Sequence, residues 1–209
     1  MNLMTLYYKL LSEYRDPVNY WPQWCAVNKS VNEREKIIIG MILVQRTSWH
    51  NTNIALKNLK QSNLLSVEKI AELSNLNNLT ELIRPAGFFQ SKPTRLFDVC
   101  TFIKKSGGIE NLLNKDADNL RAELLHIKGV GKETADTILL YAFDKPVFII
   151  DEYTYRWSEK HDVPIGRDYD DLQLYFQNQL ESDAALYQKF HALIIISQRG
   201  RDKSLMEIV

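Results

Sequence analysis

The stretch that decides the fold is Leu124–Leu140, which reads LLHIKGVGKETADTILL. Apolar residues recur at helical spacing on both sides of a short break: Leu124, Leu125 and Ile127 before it, Ala135, Ile138 and Leu139 after it. The break is Gly129-Val130-Gly131. Two packed helices joined by a three-residue hairpin satisfy this pattern. The glycines at 129 and 131 allow positive φ and close approach of the backbone. The amides of Val130, Gly131 and Lys132 then point outward at the start of a helix. Such a nest combined with a helix N-terminus is an anion site, which fits a phosphate, and Lys132 adds positive charge.

Outward from this hairpin the pattern stays helical. Leu3, Leu6, Tyr7, Leu10, Leu11 and Tyr14 form one apolar stripe, stopped by Arg15-Asp16-Pro17. Val18–Asn32 reads as an aromatic loop holding Tyr20, Trp21, Pro22 and Trp24. Glu33–Arg46 is a strongly apolar segment that reads as a buried helix. Further helices are expected over His50–Lys60 (capped by Thr47 or Ser48), Ser66–Ala71, Asn78–Ile83 and Lys92–Ser106, the last stopped by Gly107-Gly108. Ala117–His126 (capped by Asp116), Lys132–Phe143, Glu152–Lys160, Tyr169–Leu180 and Asp183–Ser197 complete the series. Strand content is expected near zero, so the fold class is all-α.

Composition narrows the function classes. The 209 residues are 45% hydrophobic and 25% charged, which excludes disorder, collagen and coiled coil. At roughly 150 residues per domain the chain holds one or two domains. No apolar run approaches the ~18 residues of a membrane span. The opening MNLMTLYYKLLSEYRDP lacks a basic start and carries Glu13 and Asp16, unlike a secretory signal. A cytoplasmic location is therefore the expectation, nucleoid-associated if the source is bacterial. Two cysteines, Cys25 and Cys100, support neither a disulfide framework nor a four-thiolate cluster. Net charge is zero, yet residues 1–105 carry +6 and residues 106–209 carry −6. That split is either a basic face hidden in a neutral total or ordinary surface scatter.

The hairpin segment resembles the helix-hairpin-helix of the endonuclease III-like (HhH-GPD) DNA glycosylase superfamily. Three more blocks resemble the family in consistent order: Leu43-Val44-Gln45-Arg46-Thr47, Ala86-Gly87-Phe88-Phe89-Gln90-Ser91-Lys92, and Ile149-Ile150-Asp151-Glu152-Tyr153-Thr154-Tyr155-Arg156. The resemblance runs from about residue 33 to 160. It implies two helical domains with a cleft between them: a helical barrel over 31–143 ending in the helix-hairpin-helix (124–140), and a second domain from 1–30 plus 144–209. Two departures refine it. Bifunctional members carry a lysine nucleophile where this chain has Glu133, and a carboxylate cannot form the Schiff base that leads to strand cleavage. Many relatives hold an iron–sulfur cluster on four C-terminal cysteines, and no cysteine follows Cys100. The chain is thus most similar to the clusterless 3-methyladenine glycosylases, a branch that Tyr20-Trp21-Pro22 and Phe190-His191 also fit.

Roles follow by resemblance. Asp151 is the catalytic residue, stabilising an oxocarbenium-like sugar or orienting water; read from its neighbours alone it is a helix N-cap, and both roles can coexist. Gly129, Val130, Gly131 and Lys132 grip DNA phosphates. Gln45 stands at the position of the wedge that fills the gap left by a flipped base, or else caps a helix end. Trp21 and Tyr20, with Trp24, offer π faces to a flat cationic base, or else plug the core. Glu133 faces the base pocket, pairs with a lysine, or raises a neighbouring carboxylate pKa. Trp49 and Trp157 read as packing residues and His191 as a satisfied core histidine. Arg199-Gly200-Arg201-Asp202-Lys203 either touches phosphates or is solvated. No metal site is expected and no cofactor, apart from a monovalent cation at the hairpin carbonyls. The implied activity is monofunctional excision of alkylated purines such as 3-methyladenine from double-stranded DNA by a monomer without membrane contact. The alternatives are an endonuclease III-like glycosylase/lyase for oxidised pyrimidines and a non-catalytic DNA-binding module.

Overall fold

The computed structural model describes residues 2–19, 21–26, 28–164 and 166–199. Among them the regular structure is helical throughout, with no strand. Helix α1 spans Leu3–Tyr14, and the Asn2 side chain accepts from the Met4 amide to start it. The expected aromatic loop is partly helical. A 3₁₀ turn covers Pro17–Asn19, and α2 covers Pro22–Cys25 with proline at its first position. Proline's fixed φ suits that position, and burial of Trp24 and Cys25 supplies the tertiary support that so short a helix needs.

Helix α3 (Val31–Leu43) begins two residues before the expected start. Ser30 and Glu33 form a reciprocal capping box, which fixes Glu33 as the third residue of the helix. It ends at Leu43 rather than Arg46, because the turn that follows takes Arg46 to φ 55, outside the helical region. Ser48 then caps α4 (Trp49–Gln61). Short helices α5 (Val67–Ala71) and α6 (Asn77–Ile83) lead to α7 (Lys92–Lys105). The glycine pair ends α7 as expected but also opens a helix the sequence did not reveal. Gly107 is left-handed at φ 86, and Gly108 begins α8 (Gly108–Leu113), which buries Ile109 and Leu112. Helices α9 (Ala117–His126) and α10 (Lys132–Phe143) flank the hairpin, followed by α11 (Glu152–Lys160), α12 (Tyr169–Gln179) and α13 (Ala184–Arg199).

Two helical domains share a cleft. In one, α3 lies against α10, α5 against α7, and α4 against α6. In the other, α13 lies against α1, α2 and α11. Helix α10 touches both, because it also packs on α13. Buried charge ties the halves at either end of α10. At its C-terminus the left-handed cap Asp144 receives Lys29 Nζ at 3.1 Å and Arg34 at 2.7 Å, while Arg34 also donates to the Ala142 carbonyl at 2.5 Å. Cations at a helix C-terminus are electrostatically favoured. Near its N-terminus the fully buried Asp136 accepts two bonds from Arg121 on α9, one from the Tyr169 hydroxyl and one from Gln173 on α12. One carboxylate thus fastens both hairpin helices to α12. A buried lysine does comparable work beside the cleft. Lys92 Nζ donates to the carbonyls of Leu43 (2.6 Å) and Ala86 (2.7 Å), holding the 86–91 loop to the end of α3.

Candidate active site

The cleft deepens into a cavity of about 540 Å³. Its walls come from α2 (Trp21 at the cap, Trp24), the end of α3 and the turn to α4 (Met41, Val44–Trp49), α10 (Glu133, Thr134, Thr137, Tyr141), Ile149 and α11 (Asp151, Tyr153), and α13 (His191, Ile195, Arg199). Six helices therefore meet at one space of the size that binds small planar ligands.

Asp151 sits where the apolar run Val147–Ile150, almost fully buried, turns into α11. It is the N-cap, as its neighbours implied. Its Oδ1 accepts the Thr154 amide at 2.7 Å and the Thr154 hydroxyl at 3.0 Å. Capping commits only that oxygen. Oδ2 faces His191 Nε2, 3.4 Å away, within ion-pair range but not aligned as a hydrogen bond. Burial alone would push this carboxyl up. The charge of a protonated His191 and the two Thr154 donors reverse the effect and hold Asp151 below its ordinary pKa. Glu133 opens onto the same cavity from the first turn of α10 and behaves oppositely. Desolvation among the cavity walls, and then the Asp151 charge, push its pKa up. Two carboxyls in one cavity are thus driven apart in pKa.

The aromatic wall is more extensive than its sequence reading. Trp21 is 4% exposed, and its indole N–H has no hydrogen-bond partner in the structure. Trp24 meets Trp49 and Tyr141 edge-on, with ring centroids 5.1 and 5.3 Å away. Trp49, read as a packing residue, lines the cavity as well as packing. Trp157 is a core residue, stacked on His161 with centroids 4.3 Å apart. Tyr20 lies outside the described residues, as do residues 200–203 of the basic tail.

His191 corrects its sequence reading. Nδ1 is satisfied by the Tyr141 hydroxyl at 2.8 Å, but Nε2 is not, and it faces the cavity and Asp151. A histidine inside the apolar run FHALII gave a core signal because the helix is buried on nearly every side. Only the packing of α13 against α10 and α11 shows which neighbour it meets.

The hairpin forms as its sequence implied, with three amendments. Gly129 has φ 88, so a side chain there is strained, and a Cβ would strike the Arg95 guanidinium. Gly131 is extended (φ −93, ψ 177), a conformation open to any residue. What its lack of a side chain provides is open space and an α10 N-terminus with no capping side chain. The Val130 amide is not available to a phosphate, because it donates to the Ile127 carbonyl at 3.0 Å while the residue itself is buried. Lys132 leans away from the hairpin, with Nζ 2.5 Å from Asp170 and over the Tyr169 ring.

Gln45 sits in the turn between α3 and α4, on the cavity wall. Its amide nitrogen donates to Thr134 Oγ1 at 2.9 Å and toward the Gly129 carbonyl at 3.4 Å, while its carbonyl oxygen accepts from Arg95. Gln45 and Arg95 therefore bridge the cavity mouth to the hairpin. Arg95, on α7, carried no sequence signal, since one arginine among helical surface charges is ordinary. Phe88 and Phe89, in the loop held by Lys92, are 51% and 44% exposed, and Phe88 adopts φ 48.

An all-α pair of domains, a helix-hairpin-helix, and a capped aspartate facing an aromatic cavity define a class of nucleic-acid base-processing proteins. The family model described as HhH-GPD superfamily base excision DNA repair protein matches residues 39–181, and the chain belongs to this superfamily. It is 42% identical over 192 residues to MJ1434 of Methanocaldococcus jannaschii, provisionally named a DNA repair glycosylase, covering 90% of this chain and 83% of that one. Endonuclease III of Thermotoga maritima is 29% identical over 126 residues, 60% of this chain and 55% of the relative. Among solved structures, the 3-methyladenine DNA glycosylase MagIII of H. pylori bound to 1,N6-ethenoadenine superposes with TM-score 0.78 at 29% identity, covering 95% of this chain and 98% of that one.

Proposed function

We propose that the protein is a monofunctional DNA glycosylase that hydrolyses the N-glycosidic bond of alkylated purines such as 3-methyladenine in double-stranded DNA. The observation that carries this reading is the pairing of an ionised Asp151 with an aromatic cavity whose described lining contains no lysine. A strand-cleaving lyase needs an amine to attack the sugar, and Glu133 stands at the family's lysine position. The likeness to MagIII supports the alkylbase branch. The cytoplasmic and monomeric expectations, the absence of an iron–sulfur cluster and domain limits of 31–143 and 1–30 plus 144–209 belong to the same proposal. Cys25 and Cys100 are both buried and on different helices, a poor donor set for any cluster.

In this reading the flipped nucleotide enters with its base against Trp21 and the neighbouring tryptophans, and its sugar toward Asp151. An N3-alkylated purine is a flat cation with an already weak glycosidic bond. Stacking and nearby negative charge favour it, and little help to the leaving group is needed. As the bond breaks, the Asp151 carboxylate stabilises the positive charge growing on the sugar and orients the water that adds to it. The free amides of the first turn of α10, with Lys132 turning from Asp170 to DNA, hold the backbone phosphate. Gln45 leaves its hairpin partners to fill the vacated stack. A monovalent cation at the hairpin carbonyls belongs to the same reading.

The test is base release from methylated duplex DNA and from thymine-glycol DNA, with free bases identified by chromatography. Release of 3-methyladenine from strands that stay intact until alkali supports the proposal. Direct nicking of thymine-glycol DNA moves the chain to the endonuclease III branch. Release from neither substrate favours a non-catalytic module.

A further inference from the structure

We infer that His191, fixed from behind by Tyr141, is a positioning residue that aims the free oxygen of the Asp151 carboxylate into the cavity. The inference rests on the glycosylase reading of that cavity and adds a residue to it. Asp151 has one committed oxygen and one uncommitted oxygen. Oδ1 takes both Thr154 donors, so Oδ2 alone is left to meet a sugar or a water. The ring of His191 is 4% exposed and has its two nitrogens in different circumstances. Nδ1 is 2.8 Å from the Tyr141 hydroxyl, which is also 3.3 Å from the Gln188 carbonyl. Nε2 has no hydrogen-bond partner in the structure and stands 3.4 Å from Oδ2 at the cavity wall.

A bare nitrogen lone pair facing a carboxylate oxygen is repulsive, so Nε2 carries a hydrogen in either arrangement of the Tyr141 hydroxyl. The Tyr141 hydroxyl has a single hydrogen, and its shorter contact is to Nδ1. If the hydroxyl donates there, the ring is neutral with its hydrogen on Nε2; if it donates to the Gln188 carbonyl, Nδ1–H donates to the hydroxyl oxygen and the hydrogen on Nε2 makes the ring cationic. A buried polar nitrogen without a partner is costly, so it persists where something else satisfies it. A small closure that brings Nε2–H onto Oδ2, or a water or sugar oxygen seated between them, does so. Either arrangement fixes the carboxylate plane and stabilises its ionised form, with no proton transfer required. Other ionisable groups around the pair are Glu133 and Tyr141 on α10, Glu152 on α11, Cys25 on α2, and Arg199 on α13. Glu133 is the one whose own pKa the Asp151 charge raises. His191 is thus the cationic or donor counterweight to a second carboxyl in the same cavity.

Two variants test this. His191→Gln keeps a buried amide, and Tyr141→Phe removes only the hydroxyl behind the ring. In single-turnover release of 3-methyladenine, His191→Gln is expected to lose about 10–100-fold, the rate equivalent of one charged hydrogen bond. Its acid limb should also move to higher pH, while affinity for an abasic-site duplex stays within about twofold of wild type. Tyr141→Phe should move both readouts the same way by less. A rate loss with an unmoved acid limb would show a packing role and overturn the inference. The second readout needs no substrate. The Asp151 side-chain carboxyl, followed by ¹³C NMR in the full-length chain, should titrate at higher pH in His191→Gln than in wild type, and an unchanged titration also overturns the inference. If wild type releases no base from any substrate, the glycosylase reading has failed, and the carboxyl titration still decides whether His191 acts on Asp151.

Discussion

Asp151 performs two tasks with its two oxygens, and substitution can separate them. Asparagine is as good an N-cap as aspartate, so Asp151→Asn should keep α11 and the fold. It should lower base release about 10³-fold, within the usual range for a positioned catalytic group, and leave duplex affinity in a gel-shift assay unchanged. Release at the wild-type rate would remove Asp151 from the chemistry. Glu133 has the opposite linkage. Its pKa is raised in the folded chain, so the native state holds that proton more tightly than the unfolded state. The associated stability is present below the ordinary glutamate pKa and is lost as pH rises through the raised value. Glu133→Gln mimics the protonated form. Its Tm should match wild type near pH 4 and exceed it by neutral pH; parallel Tm profiles would show that no such shift exists. Aspartate before a helix reads as a cap from sequence, and resemblance added catalysis. That Oδ1 caps while Oδ2 stays open is a fact of side-chain orientation, which spacing does not encode.

At the scale of the element, the hairpin was legible because local constraints make it. Gly129 needs positive φ, and apolar residues on both flanks need burial. What the spacing could not show is that α12 reaches over α10 and places Asp170 on Lys132. This pair is exposed, so it adds little to stability. Its effect belongs to binding, because a phosphate must displace Asp170 from the ammonium. Asp170→Asn should tighten duplex binding about two- to fivefold at low salt. Lys132→Ala should weaken binding evenly across sequences and reduce the slope of log affinity against log salt by about one. An unchanged slope would mean that Lys132 meets no phosphate. The end of α3 teaches the same lesson. Its apolar run continues past Leu43, but the turn is imposed by Arg46 and by Lys92 binding the Leu43 carbonyl. That contact joins residues 49 positions apart.

For the whole molecule, the two domains that flank the cleft are joined by buried charges that unite distant segments. Asp136 joins α9 and α10 to α12, and Asp144 joins α10 to Lys29 and Arg34. Lys92 offers a measurable signature of this scheme. Burial, with Arg95 adding to it, pushes its pKa down from 10.5 to about 8. Between those values the unfolded chain binds the extra proton, so stability should rise as pH increases from about 8 to 10.5. A neutral amine still has two N–H groups for its two carbonyl partners, so the contacts survive deprotonation. Urea denaturation of wild type against Lys92→Met should show the rise, of up to a few kcal/mol, only in wild type. Equal slopes would place the ammonium in water.

The all-α class, nearly every helix and the hairpin followed from the sequence by itself, because 3.6-residue periodicity, caps and glycine breaks act over a few residues; Gln45, Glu133 and Asp151 were singled out by the family resemblance of their sequence blocks. Helix α8 escaped because Gly107-Gly108 reads as a stop while the left-handed Gly107 also starts a helix, and α2 because its stability comes from burying Trp24 and Cys25. Only the tertiary structure placed Trp49, Tyr141 and His191 on the cavity, withdrew the Val130 amide from the phosphate site, and set Arg95 over Gly129. Apart from the Val130 bond, which closes the hairpin turn onto Ile127, each of those depends on the rotation of one helix against another. A buried helix presents apolar residues on every side, so periodicity leaves that rotation undetermined and packing alone decides it.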